Sequence, residues 1–176
     1  MKKIILITTL FALLSSSEIK DDAIKTIINY YNKEVTITNK KFSIPKKIKK
    51  EIQNKIKQKF YRDQIYYWVI EVDKKYHYAL LDNTIGKTMP ITFLVLFNEH
   101  QEVIYSSIIK YREAYGGEIS GRNWLDQFLG MKQDSLFKHG KEIDGITGAT
   151  LSVKSFTKGI SKLSLLLPYI ISNNKK

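Results

Sequence analysis

Cysteine is absent from the 176 residues. That excludes disulfides, thiolate-held iron–sulfur clusters, Cys-x-x-Cys-His haem attachment, a cysteine nucleophile and a lipidated N-terminal cysteine. Histidine is nearly absent too. His77, His100 and His139 are scattered, with no His-x-x-x-His and no paired metal spacing, so no metal centre or histidine-based catalytic constellation is indicated. Arginine is confined to Arg62, Arg112 and Arg122, whereas base edges and phosphates are usually read by its bidentate fork, which argues against nucleic acid as a partner. Long apolar runs are missing as well. Ile4 to Leu14 falls short of the roughly 20 residues that span a bilayer, and the apolar segment from Leu163 to Ile171 is shorter still and interrupted by Pro168. There is no internal repeat and no low-complexity linker.

Lysine, by contrast, is plentiful. The formal charge is +12, and nine lysines lie between Lys40 and Lys59. They sit opposite an isoleucine stripe, so this stretch reads first as the solvated face of a helix, and beyond that as a surface for anionic lipid or an acidic protein. The N-terminus has the order of a secretory signal: Lys2 and Lys3, the apolar run, then Ser15, Ser16 and Ser17, with cleavage expected after Ser17 and an uncleaved anchor as the alternative. Residues 1–17 are therefore assigned as a signal peptide, 18–64 as an N-terminal helical extension and 65–176 as the functional domain. An exported protein of periplasmic or other extracytoplasmic location is therefore expected, with the basic surface offering membrane association as a further option.

Hydrophobic periodicity predicts the elements. Residues 18–34 read as a helix with Ile24, Ile27, Ile28 and Tyr31 on one face, and Val35 to Thr38 as a short strand. Ser43 and Pro45 open a second helix whose buried stripe is Ile48, Ile52, Ile56 and Phe60. Four strands, Ile65 to Val72, Tyr76 to Leu81, Pro90 to Phe97 and Val103 to Ile109, are rich in β-branched and aromatic residues. The predicted class is α+β: an antiparallel sheet with helices packed mainly on one side, in one domain.

The chemistry concentrates in Asp144-Gly145-Ile146-Thr147-Gly148-Ala149-Thr150-Leu151-Ser152. Behind it, Phe156, Ile160, Leu163 and Leu167 recur at helical spacing, so a helix begins near Ala149. Ser152 then lies in the first turn, where free N–H groups and the positive end of the helix dipole favour an anion, and Gly148 and Ala149 let a phosphate approach closely. Taken alone, hydroxyl residues before a helix read equally well as an N-cap.

The nonapeptide resembles the flavinylation motif Asp-Gly-x-Ser/Thr-Gly-Ala-Thr-x-Ser/Thr of the FMN-binding domain family. That family includes the C subunit of the sodium-pumping NADH:quinone reductase and the G subunit of the Rnf complex. Upstream, Glu113 and Gly116 are similar to the family's Glu-Thr-Pro-Gly turn, with Ala114 and Tyr115 replacing its Thr and Pro. Trp124, Gln127, Phe128 and Gly130 are similar to its aromatic-x-x-Gln-Phe-x-Gly segment. The resemblance covers roughly residues 84–167.

What the resemblance implies is specific. Ser152 is the expected acceptor of a covalent FMN, attached through a phosphodiester by a flavin transferase that uses FAD and magnesium. Thr150, Ala149, Gly148, Thr147, Asp144, Gly145 and Glu113 are expected around the cofactor, and the Thr84 to Lys87 turn could line its pocket. Trp124 and Phe128 read mainly as core, with either able to flank the flavin ring. The expected role is an extracytoplasmic electron carrier serving membrane or extracytoplasmic redox partners, more than a self-contained enzyme. A subunit of an extracytoplasmic flavin-dependent reductase, or a binding module that uses the lysine-rich helix without flavin, are the alternatives. Without cysteine, electrons carried here must reside on an organic cofactor.

Overall fold

A computed structural model of the chain describes residues 18–133 and 143–174. The expected signal peptide lies outside the described residues. Two compact units divide the chain, Met1–Glu34 and Val35–Lys176. In the first, residues 18–31 form a helix, α1, within which Thr26 donates its hydroxyl to the Asp22 carbonyl at 2.8 Å. No described helix is long and apolar enough to cross a membrane.

The second unit is built on five strands in sequential antiparallel order: β1 (Thr36–Ser43), β2 (Gln64–Val72), β3 (Lys75–Ile85), β4 (Pro90–Phe97) and β5 (Val103–Lys110). β1 pairs with β2 along its length, from Thr36 opposite Glu71 to Ser43 opposite Gln64. That pairing brings the strand and the helix after it into the same unit as the sheet, although the sequence groups both with the N-terminal extension. β2 turns into β3 through Asp73 and Lys74, whose φ angles of 51° and 62° give the two left-handed residues that match the strand twist in a tight hairpin. The class expected from periodicity, an antiparallel sheet with helices on one side, is the one observed.

Two helices cover one face of that sheet. α2 (Lys46–Ile56) buries Ile52 and Ile56, and the C-terminal helix buries Val153, Phe156, Ile160, Leu163, Leu166, Leu167 and Ile170. They meet strand residues that point the same way: Ile65 and Tyr67 of β2, Tyr78 and Leu80 of β3, Phe93, Val95 and Phe97 of β4. Each fully buried Leu, Ile or Phe contributes about 1.5–3 kcal/mol, so this layer is the main source of stability. Close packing reaches the limit at Gly159, where an added Cβ would lie 2.7 Å from the Phe93 ring.

The C-terminal helix, labelled α4 below, spans Thr150–Asn174 and passes through Pro168. The sequence suggested an interruption there. Proline removes one backbone donor and crowds the preceding turn, yet Leu166, Leu167 and Ile170 are fully buried around it and hold both halves on the sheet. Between β5 and α4 lie a 3-10 turn (Gly117–Ser120), the short α3 (Arg122–Leu125) and a second 3-10 turn (Asp126–Phe128).

Candidate functional site: a cleft at the start of the C-terminal helix

The loop that leads into α4 is clamped from below. The Trp124 indole N–H donates to the Asp144 carbonyl at 2.9 Å, and the Asp144 amide donates to Gln127 Oε1 at 2.8 Å. Gln127 in turn donates to the Trp124 carbonyl at 3.2 Å. Trp124 and Phe128 themselves are buried, with ring centroids 5.5 and 5.4 Å from Phe156 and 5.3 Å from one another. Both are core residues. The Trp124-x-x-Gln127-Phe128 segment thus serves the site indirectly, by fixing the backbone at Asp144.

From that anchor the chain makes one tight turn. The Ala149 amide donates to the Ile146 carbonyl at 3.0 Å, and Gly148 sits at φ +79°, the left-handed value that the third position of such a turn demands and glycine supplies at least cost. The first intrahelical bond of α4 runs from the Val153 amide to the Ala149 carbonyl at 2.9 Å. Ala149 therefore occupies the capping position. Its methyl cannot accept a hydrogen bond, so the amides of Thr150, Leu151 and Ser152 keep no acceptor within the helix, at its positive end.

Ser152 lies in this first turn and is only 3% exposed. Further along α4, the hydroxyls of Thr157, Ser161 and Ser164 donate to the carbonyls of Val153, Thr157 and Ile160 at 2.8, 3.1 and 3.0 Å, the usual refuge of a hydroxyl inside a helix. Among the described residues no such bond satisfies the Ser152 hydroxyl. It points instead at the turn between β3 and β4. A Cβ built on Gly86 would stand 2.7 Å from Ser152 Oγ and 2.5 Å from Glu113 Oε1, so the hydroxyl and the carboxylate close on Gly86 to a distance that only glycine allows.

Glu113 also shapes that turn. Its carboxylate accepts the amides of Met89 at 3.0 Å and Thr88 at 2.8 Å, together with the Thr88 hydroxyl at 3.0 Å. The Met89 and Thr88 amides hold its carboxyl below the usual glutamate range, because they stabilise the charged form. The turn is closed by the Gly86 amide donating to the Met89 carbonyl at 3.0 Å.

These pieces enclose a cleft of about 940 Å³. Of the residues predicted from sequence, Glu113, Thr147, Gly148, Ala149, Thr150 and Ser152 line it, while Asp144 and Gly145 do not. Asp144 contributes through its clamped backbone. Lys87 and Arg112 bring positive charge to the same walls, and Met89, Tyr115 and Leu151 bring apolar surface that sequence reasoning passed over. Ligand pockets commonly measure roughly 300–1,000 Å³ and combine apolar walls with a few placed polar groups. The free amides at the start of α4 suit a phosphate, and the apolar walls suit a flat ring system, so the residues lining the cleft suit a flavin mononucleotide.

An anion-accepting cleft at a helix start, floored by a clamped loop, is the class of site that fold and geometry define. Residues 86–164 match the FMN-binding domain, so the chain carries a domain of the FMN-binding domain family. The G subunit of the ion-translocating oxidoreductase complex of Buchnera aphidicola subsp. Acyrthosiphon pisum is 29% identical over 131 residues, covering 66% of this chain and 80% of that protein. The crystal structure of the C subunit of the Na+-translocating NADH-quinone reductase of Parabacteroides distasonis has a TM-score of 0.45 to this chain at 17% identity, over 77% of this chain and 81% of that one.

Proposed function

We propose that the protein is an electron-transfer subunit that carries FMN covalently through a phosphodiester at Ser152, on the extracytoplasmic side of a membrane redox complex. One observation carries this: the Ser152 hydroxyl, with no hydrogen-bond partner among the described residues, stands in the first turn of an uncapped helix and lines the cleft. FMN, when bound, supplies one- and two-electron chemistry. The chain's own residues do the rest. The amides of Thr150 to Ser152 hold the phosphate, Gly86 lets the Ser152 turn pack close to the β3–β4 turn, Lys87 and Arg112 offset the phosphate charge, and Glu113 keeps the β3–β4 turn in place.

Attachment requires a flavin transferase with FAD as donor. The Ser152 Oγ–P bond forms as a pyrophosphate P–O bond breaks, AMP leaves and the hydroxyl proton is released. Export supports a tether, since a cofactor that dissociates outside the cytoplasm is diluted away while a tethered one stays at high effective concentration. The basic start and apolar run before Ser15 support export. Membership of a membrane redox complex is supported by the likeness to the Buchnera protein. A second polar cleft of about 510 Å³, lined by Lys57, Lys59 and Lys158, supports docking of the basic side on an anionic membrane or acidic redox partner, an interaction that salt should weaken.

The test is the intact mass and in-gel flavin fluorescence of the exported protein co-expressed with a flavin transferase, beside Ser152→Ala. A gain of one FMN less one water in the wild type alone is expected. An unmodified, colourless wild type, with a known acceptor modified in the same cells, overturns the proposal.

A further inference from the structure

Tyr115 is 82% exposed, more than any other large apolar side chain among the described residues. It is not isolated. Leu151 at 54% and Met89 at 42% are also exposed, and all three line the cleft that holds Ser152. The cleft therefore has two characters: helix amides and hydroxyls at one end, and an uncovered apolar surface at the other.

The backbone that presents Tyr115 is fixed. The Tyr111 hydroxyl donates to the Tyr115 carbonyl at 2.7 Å. The next residue, Gly116, takes φ +81° and packs so near Ala149 that an added Cβ would lie 2.4 Å from its methyl. Tyr115 is thus pinned beside the capping residue of α4, in the part of the chain that leads to Ser152. A rigid aromatic left in water next to an anion site suits a ligand that joins an anion to a flat apolar ring. The rings of Trp124 and Phe128 are committed to the core and cannot serve.

We infer that Tyr115 is the platform on which the isoalloxazine ring of the Ser152-linked FMN lies, with Met89 and Leu151 at its border. The inference rests on the flavin function proposed above. Contact between a phenol ring and a flavin has an optical consequence. On excitation one electron passes from the phenol to the flavin and returns as the pair decays, so emission is lost with no net oxidation of either partner.

The experiment compares flavin emission per attached FMN, with attachment counted by intact mass, in the exported full chain and its variants. Tyr115→Ala and Tyr115→Phe should be several-fold brighter than the wild type, because neither side chain donates an electron readily. Tyr115→Trp should stay dim, as indole is a good donor, and Tyr169→Phe, far along α4, should match the wild type. Equal emission from wild type and Tyr115→Phe with FMN attached in both overturns the platform and leaves the flavin function standing. Absence of FMN from every protein overturns both.

Discussion

Two polar side chains on one helix have opposite fates. Lys162 is fully buried, its ammonium 2.8 Å from the Asp82 carboxylate, 3.1 Å from the Lys59 carbonyl and 4.7 Å from the centre of the Phe60 ring. Ser152, ten residues earlier and so about 15 Å along the axis, is nearly as buried yet has no partner among the described residues. The β3 side repeats the contrast. Asp82 answers Lys162, Thr84 accepts the Gln58 amide at 2.8 Å, and Gly86, next in the alternation, has no side chain and so lets the Ser152 hydroxyl pack close without bonding it. Lys162 and Asp82 dock the helix on the sheet as an ion pair, whereas the Ser152 hydroxyl faces the cleft.

The largest effect is expected at the satisfied pair. Lys162→Met leaves Asp82 buried without its counter-charge and should lower stability by about 3–5 kcal/mol, read from the urea midpoint. Adding Asp82→Leu should recover most of that loss. A single variant as stable as the wild type would remove the contrast, since Lys162 would then be no more structural than Ser152. Ser152→Ala, on the other side of the comparison, should change the midpoint by less than about 0.5 kcal/mol while abolishing attachment.

Two glycines sharpen the distinction between close contact in the core and close contact at the Ser152 hydroxyl. Gly86→Ala and Gly159→Ala each force a methyl to about van der Waals overlap and should cost about 1–3 kcal/mol. Only Gly86→Ala should also reduce the FMN-modified fraction by in-gel fluorescence, because its methyl would meet Ser152 Oγ at 2.7 Å, whereas at Gly159 it meets the Phe93 ring. Equal modification of both would detach the close approach at Gly86 from function.

The smallest effect concerns pH. The folded protein holds the Glu113 carboxyl below its ordinary value, so its contribution is present above the unfolded glutamate value of about 4.3 and lost as pH falls through the lowered folded value. Thermal melts on the acid side should therefore show a steeper loss for the wild type than for Glu113→Gln. Identical acid limbs would mean that the β3–β4 turn holds without the charge.

Much of this was legible in sequence because it depends on local pattern. The strand over Pro90–Phe97 coincides with its prediction, and α4 begins one residue after Ala149 as its periodicity implied. The site loop was legible for the same reason: small residues before a helix leave donors open whatever the fold. Pro168 misled, since a local rule for breaking helices was overridden by burial on both sides of it. Tyr115 was read only as a replacement in a turn and Met89 was passed over, because nothing in their neighbours along the chain signals that they line a cleft with Leu151.

The sequence alone determined that electrons, if carried, could not ride on cysteine-bound metal, that a helix would start with open amides at Thr150 to Ser152, and that the class would be α+β. These follow from composition and from periodicities of two and 3.6 residues, which act over a few neighbours. The tertiary structure alone decided that Gly86 and Glu113 meet Ser152, that Trp124 and Gln127 grip Asp144, and that Lys162 is answered by Asp82. Those contacts join residues 17 to 80 positions apart, and only the pairing of strands and the packing of α4 on their common face bring them within reach.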